Sequence, residues 1–77
     1  MLQQGDVLSA RLFFERAGAA GSGQGAISAG RTYDPNYLAT TEALGLKADA
    51  VRARAWYRTA SVLGDRDADG LLKALGP

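Results

Sequence analysis

The chain contains no cysteine and no histidine. Without cysteine there can be no disulfide, no thiolate nucleophile and no thiolate-held zinc or iron–sulfur cluster. Without histidine, the commonest general base near neutral pH and the commonest transition-metal ligand are both missing. Neither sign of charge dominates: nine Lys and Arg face eight Asp and Glu, and the net charge of +1 draws the chain neither to nucleic acid nor to an anionic membrane. No apolar run approaches the roughly 20 residues of a membrane span, and Met1-Leu2-Gln3-Gln4 lacks the basic start and apolar stretch of a signal peptide. The expectation is a soluble chain without membrane insertion, its compartment left open.

What is present points to helices. The 77 residues allow one domain, 1–77, and 47% of them are hydrophobic. The excess lies in Ala and Leu rather than in β-branched or aromatic residues, which favours closely packed helices and an all-α class. From Asp6, the residues Val7, Ala10, Phe14 and Ala17 recur at three- and four-residue steps, with Phe13 and Ala20 widening the stripe. Asp6 as N-cap and Gly21 as terminator give a helix over 6–20. Ser22 then caps a weaker helix over 22–33, in which Gly23, Gly25 and Gly30 each cost about 1 kcal/mol relative to Ala. Asp34-Pro35 opens a connecting helix over 35–44, ending before Gly45. Asp49 starts a stronger helix over 49–63, with Ala53, Trp56, Tyr57 and Ala60 on one face and Gly64 closing it. Asp65 caps a last helix over 65–75.

Sliding the chain by 43 residues superposes Asp6 on Asp49, Ala10 on Ala53, Arg11 on Arg54, Ala17 on Ala60 and Gly21 on Gly64. The same shift pairs Phe13 with Trp56, Phe14 with Tyr57 and Ser22 with Asp65. Cap, small residue, aromatic pair, small residue and stop recur in order at a period typical of helical solenoids. Repeat one spans about 6–33, a connection 34–48, and repeat two about 49–76. Asp49, Arg52-Ala53, Trp56-Tyr57, Ala60 and Gly64 resemble the Sel-one-like repeats, relatives of the tetratricopeptide repeats. Ala10, residues 13–17, Gly21 and the Gly30-x-x-Tyr33 ending stand in corresponding places of the first unit. The resemblance implies stacked α/α hairpins and a scaffold or adaptor role without catalysis, often in bacterial envelope, signalling or secretion-related proteins.

Several motifs have simpler explanations. Gly21-Ser22-Gly23-Gln24-Gly25 lacks the preceding strand and following Lys of a phosphate loop, and reads as an inter-helix turn. Asp65-x-Asp67-x-Asp69-Gly70 begins like an EF-hand, but position twelve is Gly76 rather than a bidentate Glu, so capping and the helix dipole explain the acids better. Asp34 and Glu42 are the only pair to weigh for acid–base chemistry, and no nucleophile or oxyanion site accompanies them. Trp56-Tyr57 reads as core rather than as a partner anchor.

The expectation is therefore no enzyme, no cofactor and no metal, but a module that binds a protein or peptide. Arg11, Glu15, Arg54 and Arg58 are the candidate contacts, on the first helix of each repeat, and an acidic partner would suit them. Nucleic acid is not expected. Because repeats bury their faces by stacking, two units also suggest a structural alternative: an assembly or capping domain that self-associates or packs on the rest of a longer chain.

Overall fold

The computed structural model describes residues 4–40 and 46–76, with side chains from Leu8 onward. Among these residues there are five helices and no strand: α1 (Gln4–Ala19), α2 (Gly23–Arg31), α3 (Pro35–Thr40), α4 (Ala50–Val62) and α5 (Asp67–Leu75). The all-α expectation holds, and each expected helix has a counterpart. The expected end of the third at Leu44-Gly45 lies outside the described residues.

Local chemistry explains most boundaries. Ser22 takes an extended backbone and its hydroxyl accepts the Gly25 N–H at 2.9 Å, satisfying one of the orphan amides of α2. Asp49 does the same for α4, accepting from Arg52 N–H at 3.1 Å. Two caps differ from expectation. Helix α1 already includes Gln4 and Gly5, which puts Asp6 within the helix rather than ahead of it. Asp65 accepts the Asp67 N–H at 3.0 Å, but Arg66 intervenes as a turn residue, so α5 starts one residue later than a helix capped directly by Asp65.

Both major turns end in the same way. Ser22 N–H bonds the carbonyl of Ala17, and Asp65 N–H bonds that of Ala60, each at 3.0 Å. Between them stand Gly21 at φ +103° and Gly64 at φ +90°, a left-handed backbone that a side chain would strain. These turns send α2 back along α1 and α5 back along α4. Helix α2 is the middle element, packed on α1 along one side and on α4 along the other, while α5 covers α4.

The core is mostly alanine and tyrosine. Ala26, Ala29, Ala53, Ala60 and Ala68 are fully buried, and Tyr57 is the largest side chain with no exposure. Small residues let the helices approach closely. A Cβ on Gly25 would lie 2.7 Å from that of Ala17, and one on Gly30 would lie 2.4 Å from the Tyr57 ring. These two glycines, which weaken α2 as an isolated helix, seat it against α1 and α4.

The connection is an excursion with a closed neck. Asp49 N–H bonds the Tyr33 carbonyl at 2.8 Å, so the chain leaves α2 and re-enters α4 at nearly the same place. Within the excursion, Asp34 is buried and Asn36 reaches across to donate to the Ala74 carbonyl of α5 at 3.0 Å.

Candidate functional site

The aromatic pairs of α1 and α4 occupy equivalent sequence positions and meet different surroundings. Tyr57 lies flush on Gly30, and its hydroxyl donates to Asp34 Oδ2 at 2.7 Å. The other Asp34 oxygen accepts from Asn36 N–H at 2.8 Å, so this buried carboxyl has both oxygens partnered. Burial pushes the Tyr57 phenol well above its usual pKa, and the hydrogen bond and charge of Asp34 add to the rise. Trp56 is half-buried against the core, its ring beside Gly18. Phe14, the counterpart of Tyr57, is only half-buried, and Phe13 is 66% exposed. Their rings meet edge to face at 5.9 Å. The expectation that Phe13 and Ala20 widen a buried stripe is thus corrected: both are exposed, because no described element covers that side of α1.

These phenylalanines flank a groove of about 410 Å³. Phe13, Phe14 and Ala17 of α1 form one wall, and Gly25, Ile27 and Ser28 of α2 line the bottom. Charge is distributed along its length. Arg31 stands in the last turn of α2, whereas Asp65 and Asp67 stand beside the first turn, where a Cβ on Gly23 would lie 3.3 Å from Asp65. Each sign complements the α2 dipole, so the arrangement also stabilises the fold. The chemistry on offer is a partly aromatic groove, about half polar, whose lining includes one cation, Arg31, and two carboxylates, Asp65 and Asp67.

Three of the four residues expected to contact a partner also make contacts within the chain. The Arg11 guanidinium donates to Thr32 Oγ1 at 3.0 Å and to the Thr32 carbonyl, and stacks 3.8 Å from the Tyr33 ring centroid. Glu15 accepts the Tyr33 hydroxyl at 2.9 Å. Burial raises the Tyr33 pKa, Glu15 adds to the rise, and Arg11 and Arg52 oppose it. Arg54 donates to the Gly76 carbonyl at 3.1 Å, and Arg58 is exposed. Arg11 and Arg54 thus hold carbonyls that follow the ends of α2 and α5, a role for cations at helix C-termini.

Of the acid–base pair, Asp34 is committed to Tyr57 and Asn36, and Glu42 lies outside the described residues. Asp65 accepts its own chain's amide and Asp69 accepts the Ser61 hydroxyl at 3.1 Å. Among the described residues, no three acidic side chains gather as metal ligands. No helix among them is long and apolar enough to cross a membrane.

The groove's residues were missed from the sequence, apart from Phe13 and Phe14. One signal was present: Arg31 is the only charged residue between Ser22 and Tyr33. No family model matches the chain, and neither a curated protein nor a solved structure matches it.

Proposed function

We propose that the chain is a non-catalytic protein-binding module of two α/α hairpin repeats, similar in design to the Sel-one-like and tetratricopeptide repeats. The repeat reading is supported by features that recur 43 residues apart. The Ala17–Ser22 and Ala60–Asp65 turn bonds and the positive φ of Gly21 and Gly64 obey that spacing, and Arg11 and Arg54, also 43 apart, clasp carbonyls one residue out of step at Thr32 and Gly76. The neck between Tyr33 and Asp49 makes 34–48 an insertion between two otherwise adjoining units.

The observation that carries the function is Phe13, two-thirds exposed beside a groove that Phe14 and Ile27 also line. Exposed aromatics next to a slot are the usual anchors of protein interfaces. Partners of this kind are a protein or peptide with an apolar residue to fill the slot. Its charges would be acidic toward Arg31 and basic toward Asp65 and Asp67.

The test is selection from a displayed random-peptide library, followed by amide chemical-shift mapping. Selected peptides should shift Phe14, Ile27, Ser28 and Arg31, and should bind the Phe13→Ser variant at least about tenfold more weakly, the loss expected for a hot-spot side chain. Peptides that bind both forms equally, or shift only residues away from the groove, would refute the assignment.

A further inference from the structure

Resting on the reading of this groove as a protein-binding surface, we infer that its partner is a second copy of the chain, joined face to face about a two-fold axis through the middle of α2. A two-fold interface uses one patch twice, so the patch must complement itself. This patch does so in shape and in charge. It carries a projecting side chain, Phe13, next to a recess that Phe14 and Ile27 help to line, so each copy offers both knob and hole.

The charges lie in the order that a two-fold axis requires. Helix α2 runs from Gly23 to Arg31, about 12 Å at 1.5 Å per residue, and Ile27 is its midpoint. Asp65 and Asp67 flank its beginning and Arg31 its end. An axis through Ile27, perpendicular to the helix, reverses one copy's α2 against the other's. Arg31 of each copy then faces Asp65 and Asp67 of its mate, and the ion pairing occurs twice. A parallel approach would oppose like charges at both ends, so the pattern selects the antiparallel arrangement. With a net charge of +1 per chain, two copies repel one another very little.

The experiment is mass measurement by sedimentation equilibrium over a concentration series, on the wild type and on three surface variants. Arg31→Glu and Asp67→Lys each place like charges against one another in the dimer. Asp65 is left unchanged, because it accepts an amide at the start of α5. Phe13→Ser removes the knob without altering charge. Circular dichroism checks that all retain helix.

The wild type should reach twice its 8.0 kDa monomer mass, and each variant should dimerise about tenfold or more weakly. An equimolar mixture of Arg31→Glu with Asp67→Lys should recover the dimer, since each new charge then meets its opposite across the axis. A purely intramolecular role for these residues cannot produce rescue between chains. A monomer at all concentrations, a mixture that stays monomeric, or open-ended growth beyond the dimer would overturn the inference. A monomer whose groove still binds selected peptides rejects the second copy alone; a Phe13→Ser variant unchanged in both assays rejects the protein-binding reading as well.

Discussion

The first helix of each pair carries an aromatic doublet, and the two doublets have opposite fates. On α4, Tyr57 is fully buried and Trp56 lies against the core; on α1, Phe14 is half-buried and Phe13 is 66% exposed. Composition does not explain this, because Phe is more apolar than Tyr and would be favoured inside. Position does. Helix α4 has α2 on one side and α5 on the other, whereas α1 has only α2 as its principal neighbour. An apolar residue is buried by what arrives next to it, and the side of α1 bearing Phe13 has no described neighbour.

The sharpest way to test that difference is to truncate the equivalent residues. Tyr57→Ala empties a fully buried site and leaves Asp34 without its hydroxyl partner. Large-to-small core changes of this kind cost about 3–5 kcal/mol, enough to threaten the folding of so small a chain. Phe14→Ala should cost roughly half as much, and Phe13→Ala no more than about 0.5 kcal/mol. Urea denaturation of the three variants measures the series; equal losses at Tyr57 and Phe14 would mean that the two sites are equally enclosed.

A gentler change isolates the polar half of the Tyr57 site. Tyr57→Phe keeps the ring on Gly30 but strips Asp34 Oδ2 of its donor, a loss of about 1–3 kcal/mol near neutral pH. The same residue sets an alkaline limit. Burial and Asp34 raise the phenol's pKa in the folded state above the ordinary value of 10.0. A raised pKa favours the protonated form on folding, so its contribution is complete below pH 10 and is lost progressively as the pH rises above that. The stability of the wild type should therefore fall above about pH 10, followed by helical circular dichroism, and this portion of the fall should vanish in Tyr57→Phe.

Glycine shows how much of this the sequence could reveal. Helix number, order and approximate bounds were legible because capping residues, terminating glycines and three-to-four-residue periodicity are local signals. Tertiary purpose was not. Gly30 reads as a helix-weakening residue and Gly70 as the end of an EF-hand-like acidic run, yet a Cβ at Gly30 would strike the Tyr57 ring at 2.4 Å while one at Gly70 would meet nothing within 4 Å. Gly70→Ala should stabilise by about 0.5–1 kcal/mol through helix propensity. Gly30→Ala gains the same propensity but overpacks a buried ring, which costs about 1–3 kcal/mol, so the net change should be destabilising. Opposite signs of the change in melting temperature are the expected result; two stabilised variants would show that α2 and α4 can separate at no cost. The groove was hidden for the same reason: it joins α1, α2 and the start of α5, and no local pattern announces that Arg31 and Asp67 line one slot.

The smallest effect concerns the one feature that treats both pairs alike. Arg11 and Arg54 looked like partner contacts because they recur at the same place on solvent-facing stretches of helix. Each also reaches the carbonyl that follows its own pair's second helix, at Thr32 and at Gly76. Arg11 has additional hold, with a second bond to Thr32 and its guanidinium over Tyr33. Removing a partly exposed charged donor of this kind costs on the order of 1 kcal/mol, and the cation–π contact adds up to about as much again. Arg11→Ala should therefore cost between about 1 and 2 kcal/mol in urea denaturation. Arg54→Ala should lower the melting temperature by a few degrees and accelerate amide hydrogen exchange at residues 73–76, because the last turn of α5 opens more readily once its carbonyl clasp is gone. Equal exchange in wild type and Arg54→Ala would show that the end of α5 is held by Asn36 at Ala74 rather than by the arginine.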